Sequence, residues 1–301
     1  MNKNYILITG GSGFLGSKIL YKLICEGYNV VALVRHNSKL NRIQEIKGSF
    51  ELFYINKEQS NLSELFENFK IHIIIHTATE YGRASATSLV LISNLIFPIQ
   101  LIEHGLAHGL KLFINSDTFF GKTEHKNSNY LTQYTSSKKY FYDYLLSISR
   151  DLKIINLRLE HIFGEFDSES KFVTDILHRL LKQDKIILLT EGKQTRDFIY
   201  VDDVVEAYIR VLTNINSISN LTEFEVGRGE STSIRSFVEL MAKLSRSNSK
   251  LVFGAILNRA NEIQNSKANI TLLKSIGWKS SFDLETAIKK ILIEENYLLP
   301  L

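Results

Sequence analysis

Cysteine and proline are nearly absent from this 301-residue chain. Its single cysteine, Cys25, excludes a disulfide within the chain, and this predicts a reducing compartment, which we take to be the cytoplasm. Cys25 lies in an amphipathic segment and is predicted to be a core residue. The only prolines are Pro98 and Pro300, so no proline-rich linker divides the chain.

Long runs of one charge and long apolar runs are missing too. The net charge of +4 is small for this length, and no block of Lys and Arg is long enough to indicate nucleic-acid binding. The longest apolar stretch, Leu89 to Ile102, contains polar residues and is too short to span a bilayer. The N-terminus runs directly into a predicted strand without a secretory signal. We therefore expect no nucleic-acid partner and no membrane association.

Short β-branched runs alternate with helical patterns in the first half of the chain, which is typical of βαβ units and a parallel sheet. The predicted strands are Tyr5–Thr9, Val30–Val34, Glu51–Ile55, His72–His76, Lys111–Asn115 and Lys153–Leu157. After Gly164 the predicted elements are shorter and mixed: Lys171–Lys182, Ile186–Leu189, Phe224–Val226, Ser233–Leu244 and Phe282–Ile293. We predict an α/β fold with a Rossmann-type doubly wound parallel sheet over residues 1–165, to which some later elements return. A smaller mixed α/β substrate-binding lobe is predicted over 166–301.

A glycine-rich turn, Thr9-Gly-Gly-Ser-Gly-Phe-Leu-Gly16, follows the first predicted strand. Its glycines allow a tight turn, a close approach of backbone to a pyrophosphate, and close packing of strand and helix. The N-terminus of the next helix would then face the anion. Glycines also serve plain turns, but the position directly after the first strand favours a dinucleotide site. The residues assigned to the cofactor here are Gly10, Gly13, Phe14, Leu15 and Gly16.

The second predicted strand ends at Val34-Arg35, where an NAD site usually carries Asp or Glu for the ribose 2′-hydroxyl. Arg35 can instead form a charge-assisted hydrogen bond with a 2′-phosphate, worth about 1.5–3 kcal/mol. We therefore predict NADP(H) as the cofactor. The alternative is that Arg35 is only a solvated cation at the end of a strand.

Tyr134 and Lys138 are four residues apart in a predicted helix, so their side chains leave the same face. At an effective dielectric constant of about 20, a cation ~4 Å from the phenol is worth ~4 kcal/mol, or ~3 pKa units. The spacing thus predicts that Lys138 brings the pKa of Tyr134 close to neutrality. Such a phenol exchanges a proton with a carbonyl oxygen while a nicotinamide carries the hydride. The alternative is an ordinary amphipathic surface pair.

Together with Ser116, these motifs resemble the extended short-chain dehydrogenase/reductase family that acts on nucleotide-sugars, over essentially the whole chain. Further marks of the family are His76-Thr-Ala78, Asn94, Arg158–Gly164, Arg196–Asp203 and Gly277-Trp278. The resemblance implies that Tyr134 donates the proton, that Lys138 assists it and holds the nicotinamide ribose, and that Ser116 binds the reacting oxygen. It also implies that Ala78 contacts the cofactor and that the chain forms a homodimer.

Within the family, four stretches resemble enzymes that use NADPH to reduce carbon 4 of a CDP-4-keto-3,6-dideoxyhexose for O-antigen lipopolysaccharide: Ala78–Gly82, Asn115–Phe120, Leu157–His161 and Arg259–Glu262. The resemblance implies contacts with the substrate for Glu80, Tyr81, Arg83, Asp117, Thr118, His161, Phe172, Arg196, Arg259 and Glu262. For Glu80, Tyr81 and Arg83 the alternative is a loop held by its own hydrogen bonds. The family's dehydratases carry Asp-Glu where this chain has Asp117-Thr118, so dehydration is not expected.

Two plainer interpretations concern other polar residues. Asp202 precedes an apolar periodic segment and is predicted to be a helix N-cap. His104 and His108 have i, i+4 spacing but no third ligand, so a solvated helix face is expected and no metal site.

Two other functions stay open at this point. An epimerase would oxidise and re-reduce its sugar on a retained NAD(P), and a regulator would bind NADP without catalysis. The sequence also leaves open dTDP and GDP as the nucleotide, and the face of carbon 4 that receives the hydride.

Overall fold

Apolar strands and amphipathic helices alternate in the computed structural model, which describes residues 3–83, 85–125 and 130–295. The strands are β1 (Tyr5–Thr9), β2 (Val30–Arg35), β3 (Glu51–Ile55), β4 (Ile71–His76), β5 (Leu112–Thr118), β6 (Lys153–Leu159), β7 (His161–Phe163), β8 (Ile186–Leu189), β9 (Thr195–Arg196), β10 (Phe198–Tyr200), β11 (Thr222–Val226), β12 (Thr232–Ser233) and β13 (Lys250–Phe253).

The α-helices are α1 (Phe14–Cys25), α2 (Leu62–Asn68), α3 (Thr87–Leu91), α4 (Phe97–Ala107), α5 (Thr132–Ser147), α6 (Phe172–Leu181), α7 (Val201–Thr213), α8 (Ile234–Leu244), α9 (Thr271–Ser275) and α10 (Leu284–Glu294). A π-helical turn, Ile92–Ile96, joins α3 to α4. Short 3₁₀ turns occupy Asn41–Ile43, Phe119–Gly121 and Thr123–His125.

Seven strands form one sheet in the order β11-β6-β5-β4-β1-β2-β3. The register of β3, β2, β1, β4 and β5 is parallel. This order is that of a doubly wound nucleotide-binding fold, in which the strand order reverses at β1 and ligands bind beyond the carboxyl ends of the strands. The predicted fold class is therefore confirmed. Thr9 pairs with His76 and His76 with Asn115, so β1 and β4 end level with the polar part of β5.

The central strands are apolar on both faces because helices cover a parallel sheet on both sides. Leu7, Ile74 and Phe113 are fully buried, and they belong to one core cluster with residues of α2, α4 and α5. The apolar runs of the sequence follow from this burial.

The chain divides into two compact units. The first contains Met1–Thr123, Leu131–Arg158 and Val211–Phe224, and the second contains Glu124–Tyr130, Leu159–Arg210 and Glu225–Leu301. The functional division at residue 165 stays a prediction, and the observed units differ from it at 124–130, 159–165 and 211–224.

The second unit is built on small sheets and amphipathic helices. Strand β7 pairs with β10 and β8 with β13 in parallel, whereas β9 and β12 are antiparallel. Phe198 stacks on Phe237 of α8 with ring centroids 4.0 Å apart, and Phe163 meets Phe237 edge-on.

Three expectations were wrong. Phe224–Val226, assigned to the smaller lobe, forms part of β11 at the edge of the seven-stranded sheet. Cys25 is exposed because Leu23 lies on the buried face of α1 and two further residues turn the helix by about 200°. Asp202 lies inside the first turn of α7, where its carboxylate pairs with Lys290 at 2.7 Å.

The apolar stretch Leu89 to Ile102 lies in a longer helix, Thr87 to Ala107, which, contrary to expectation, is long and apolar enough to cross a membrane by length and composition alone. This is weak evidence for membrane insertion, since core helices of soluble proteins pass the same test. Phe97, Leu101 and Ile102 of this helix are buried against the sheet, as expected for a core helix.

Candidate active site

The glycine-rich turn between β1 and α1 fits a pyrophosphate. Gly10 adopts φ +68°, and a Cβ there would lie 2.8 Å from the Ala78 nitrogen. A Cβ on Gly16 would lie 2.1 Å from the Gly10 carbonyl oxygen. Helix α1 begins at Phe14 without a side-chain cap and without an acidic residue in its first turn. A phosphate can therefore approach the first-turn N–H groups, where the helix dipole favours an anion.

Hydrogen bonds join the ends of β1 and β4 beside this turn. The Thr9 hydroxyl lies 2.8 Å from His76 Nδ1 and accepts the Ala78 N–H at 3.3 Å. Burial lowers the pKa of His76 well below 6.5, so its ring is neutral. The predicted cofactor residue Ala78 is thus held against Thr9.

Arg35 is the exposed last residue of β2, next to the glycine-rich turn in the sheet order. Its N–H donates to the Ser38 hydroxyl at 3.1 Å, and its carbonyl accepts the Ser38 N–H at 2.9 Å. The tight turn holds the Arg35 backbone at the strand end. A contact between Arg35 and a 2′-phosphate stays a prediction.

The predicted catalytic residues Ser116, Tyr134 and Lys138 are brought together in the first unit and are all buried. The Lys138 ammonium donates a hydrogen bond of 2.8 Å to the Ser116 carbonyl. The phenol of Tyr134 is hydrogen-bonded to the Thr118 side chain. Strand β5 therefore holds both functional groups of α5 through residues 116 and 118.

The protonation of this pair differs from the prediction. Burial raises the pKa of Tyr134 well above 10, and the nearby Tyr81 raises it further, whereas the bond with Thr118 opposes the rise. Burial lowers the pKa of Lys138 to about 8, against the opposing effect of Asp117. The expected near-neutral phenol is wrong, because burial disfavours the phenolate and the nearby Tyr81 and Asp117 raise the pKa of Tyr134 further.

The loop after β4 is attached to Asn94 in the π-helical turn. The Asn94 side chain accepts the Glu80 N–H and donates to the Glu80 carbonyl, both at 2.8 Å, and donates to Ser137 of α5 at 3.0 Å. The Glu80 carboxylate accepts the Gly82 N–H at 3.1 Å. For Glu80 the structure thus shows the alternative of a loop held by its own hydrogen bonds, and a substrate contact stays a prediction.

Of two further loop residues, Tyr81 lies beside the Tyr134 ring and Arg83 lies beside Tyr81. The rings of Tyr81 and Tyr134 are 5.0 Å apart, and the Arg83 guanidinium is 6.0 Å from the Tyr81 ring centroid. Tyr81 is partly exposed, so it lies between the buried phenol and solvent.

Asp117 belongs to a buried polar network that sequence reasoning missed. Its carboxylate accepts the Thr118 N–H at 2.8 Å and the Asn156 side-chain N–H at 3.0 Å. Asn156 also donates to Glu223 at 2.9 Å, and Arg158 pairs with Glu223 at 2.8 Å. The sequence feature that could have revealed this network is Asn156, a polar residue within the largely apolar strand Lys153–Leu159. The substrate contacts predicted for Asp117 and Thr118 stay predictions, since their observed hydrogen bonds are to protein groups.

In the second unit the structure brings Arg196 and Glu262 together. Arg196 is buried, and its guanidinium donates to Glu262 at 3.1 Å and to the Thr195 carbonyl at 2.8 Å. Burial lowers the pKa of Arg196 while Glu262 raises it. Glu262 also lines an open cavity of about 510 Å³. Arg259 lies over the ring of Tyr130 at 4.2 Å, its carbonyl accepts the Glu262 N–H at 3.3 Å, and its charge contributes to the lowered pKa of Arg196.

His161 is close enough to Arg196 for the guanidinium charge to add to the burial that lowers the pKa of His161. His161 begins β7 and lies 3.9 Å from the Glu160 carboxylate, and burial lowers its pKa below 6.5. Phe172 is the exposed first residue of α6. Within the described ranges, no group of three or more His, Cys, Asp or Glu could hold a metal ion.

Residues 6–227 match the NAD dependent epimerase/dehydratase family. The chain therefore belongs to this family of extended short-chain dehydrogenases/reductases, and it is an enzyme of the nucleotide-sugar-modifying class. It is 34% identical to CDP-abequose synthase of Salmonella typhimurium over 302 residues, which cover 96% of this chain and 98% of the relative. The CDP-abequose synthase of Salmonella muenchen is 36% identical over 292 residues, covering 95% and 96%. The family predicted from the motifs is confirmed.

Solved structures share the fold. UDP-glucose 4-epimerase of Thermotoga maritima, solved with UDP-glucose, has a TM-score of 0.83 at 24% identity and covers 97% of this chain and 98% of its own. The UDP-glucose 4-epimerase of Thermus thermophilus, solved with NAD, has a TM-score of 0.80 at 22% identity, covering 96% and 97%.

Proposed function

We propose that this enzyme uses NADPH to reduce the 4-keto group of a CDP-4-keto-3,6-dideoxyhexose, giving CDP-abequose or CDP-paratose for O-antigen biosynthesis. The observation that supports a reduction is that Tyr134 and Lys138 are buried together, with Tyr134 bonded to the Thr118 side chain and Lys138 to the Ser116 carbonyl. The CDP-sugar is supported by the 34–36% identity with two CDP-abequose synthases along nearly the whole chain.

The high pKa of Tyr134 suits a reductase. A proton donor must carry its proton before the reaction, and burial keeps this phenol neutral at physiological pH. Bound NADPH supplies the hydride. Tyr134 then donates its proton to the oxygen on carbon 4, and the nearby Lys138 ammonium stabilises the phenolate that forms. We assign the Ser116 hydroxyl to the reacting oxygen, where a placed donor stabilises developing negative charge.

The cofactor site is proposed to consist of the glycine-rich turn, Ala78 and the end of β2. The turn can take this tight form because Gly10, Gly13 and Gly16 lack a Cβ, which would crowd the Ala78 nitrogen or the Gly10 carbonyl. Arg35 favours NADPH because it is exposed, cationic and placed where an acid would bind the NAD ribose.

The nucleotide part of the substrate is assigned to the second unit. Arg196 and Arg259 are guanidinium groups suited to diphosphate oxygens, and Glu262 is suited to ribose hydroxyls. His161 and Phe172 are proposed to contact the nucleotide-sugar, with Phe172 against the base.

A second candidate is a nucleotide-sugar 4-epimerase, which the family match and the two epimerase structures favour. An epimerase returns its hydride to the same sugar, so it consumes no cofactor. A 4-reductase of another nucleoside diphosphate 4-keto-6-deoxy sugar differs only in the base and sugar that it accepts.

The test is to incubate the protein with CDP-4-keto-3,6-dideoxyglucose and either NADPH or NADH. We expect one NADPH oxidised per sugar reduced, a higher Michaelis constant for NADH, and a CDP-3,6-dideoxyhexose whose configuration NMR assigns. Turnover without net oxidation would favour the epimerase, and equal Michaelis constants would exclude selectivity through Arg35.

The matched variant is Tyr134→Phe, which keeps the ring but removes the proton. It should lose at least about a hundredfold in kcat while NADPH binding, followed by fluorescence, is retained. Unchanged kcat would contradict the assigned role of Tyr134.

We further propose that the enzyme is a cytoplasmic homodimer. Leu89, Ile92 and Ile96 are exposed apolar residues on the helix from 87 to 107, and Tyr140 is exposed on α5. Apolar side chains at spacings of three and four residues form one stripe that a second copy can cover.

A further inference from the structure

The buried network around Asp117 extends over three strands of the sheet. Asn115 donates to Asn156 at 2.8 Å, and Asn156 bridges the carboxylates of Asp117 and Glu223. The Arg158 guanidinium lies 2.8 Å from Glu223 and 3.7 Å from Asp117. We call these five residues the Asp117 network: Asn115, Asp117, Asn156, Arg158 and Glu223.

Asp117 stands between the two β5 residues that hold the catalytic groups. The carbonyl of Ser116 accepts the Lys138 ammonium, and the side chain of Thr118 bonds the Tyr134 phenol. The Asp117 carboxylate accepts the backbone N–H of Thr118 at 2.8 Å. The network therefore anchors the strand segment on which both catalytic contacts depend.

The lysine itself is buried beside few opposite charges. Lys138 is 2% exposed, and its described hydrogen bond is to a neutral carbonyl. A buried ammonium without a countercharge tends to lose its proton. Asp117 is the charged group that stabilises the protonated form of Lys138.

We propose that Asp117 is a positioning residue that keeps Lys138 protonated and anchors residues 116–118. Arg158 partly offsets the negative charge of Asp117. This role rests on the proposed function only in that Lys138 is taken as catalytic. It separates this chain from a dehydratase, because the Asp117 carboxylate is occupied by protein donors and is not available as an acid for a leaving hydroxyl.

The other titratable groups around Lys138 and Asp117 come from three neighbouring elements and from α5 itself. His76 at the end of β4 is neutral, and Tyr134 on α5 is protonated. Arg158 of β6 and Glu223 of β11 form an ion pair with each other. Removing the charge of Asp117 should therefore have the most direct effect on the protonation of Lys138.

The experiment measures the pKa of Lys138 in the intact protein by NMR of ¹³Cε-labelled lysine, with the signal assigned from its loss in Lys138→Met. Wild-type Lys138 should titrate near pH 8, and Asp117→Asn should lower that midpoint by about one pH unit, a tenfold change in proton affinity. In a protein with the proposed activity, the alkaline fall of kcat/KM with pH should move by the same amount. The NMR result does not need the substrate, so failure of the proposed function and failure of this inference can be told apart.

Two further variants complete the test. Arg158→Gln removes the cation beside Asp117 and should move the Lys138 midpoint to higher pH. Asp203→Asn is the matched control, since Asp203 is also a buried carboxylate that accepts backbone N–H groups, from Ser281 and Phe282, but lies in the second unit. It should leave the midpoint unmoved.

An unchanged midpoint in Asp117→Asn overturns the proposal, even if activity falls. If that variant does not fold, Arg158→Gln decides: an upward move supports the role of Asp117, and no move contradicts it.

Discussion

At the scale of single residues, burial decides the protonation of the catalytic pair. Tyr134 keeps its proton because the phenolate would be desolvated, and Lys138 holds its proton less tightly for the same reason. Tyr134 is therefore always protonated and able to donate, whereas Lys138 loses its positive charge above about pH 8.

Protonated Lys138 has a cost for folding. Because burial lowers its pKa from 10.5 to about 8, carrying the proton costs the folded protein about 3 kcal/mol at neutral pH. The cost is fully present below pH 8 and disappears as the pH rises to 10.5. This group therefore makes the free energy of unfolding increase between pH 8 and 10.5.

We expect Lys138→Met to unfold at higher denaturant concentration than wild type at pH 7. The gain should be about 2 kcal/mol after loss of the hydrogen bond to Ser116, worth about 1 kcal/mol. Urea titrations at pH 7 and pH 10 measure it, with the exposed neighbour Lys139→Met as the control. A destabilised Lys138→Met would show that Lys138 contributes to stability instead.

The sequence could predict that the proposed catalytic residues lie together, but it could not predict their electrostatics. The Tyr134 and Lys138 spacing depends only on helix geometry, whereas the pKa of each group depends on what covers it. Thr118, Asn156 and Glu223 are partners from distant segments, and no local pattern connects them.

At the scale of elements, the buried strands were the most predictable part of the fold. Tyr5–Thr9, Glu51–Ile55 and Ile186–Leu189 match the observed strands residue for residue. Strand β5 extends three residues beyond its predicted end at Asn115, into the buried polar residues Ser116, Asp117 and Thr118. The π-helical turn has no signal in the apolar pattern.

Asn94 gives the helix from 87 to 107 its connection to the site. We expect Asn94→Ala to release the backbone of Glu80 and to expose its amide, because both hydrogen bonds from Asn94 are lost. Hydrogen exchange should become faster at the amides of residues 80 and 82, and stability should fall by about 1–3 kcal/mol. Gln100→Ala in the same helix is the control and should leave exchange in this loop unchanged. Equal exchange in both variants would contradict the connection.

At the scale of the whole molecule, the exposed apolar stripe on the helix from 87 to 107 predicts a dimer. We expect wild-type protein to elute with the mass of two chains in size-exclusion chromatography with light scattering. Ile92→Glu should give single chains, because a charge in a covered apolar interface is not tolerated. Leu257→Glu, at a residue 91% exposed elsewhere, should remain a dimer. A single-chain mass for wild type would refute the homodimer.

The π-helical turn at Ile92–Ile96 has a consequence for how this gene can vary. A π turn holds one residue more than an α-helical turn, so losing one codon here would restore a regular helix. The wide turn absorbs its extra residue, so the helix on either side would keep its face, but the side chains within Ile92–Ile96 would be repositioned. Asn94 would then leave the Glu80 loop. Single-residue deletions should therefore be tolerated in the exposed loops of this protein long before they are tolerated at this turn.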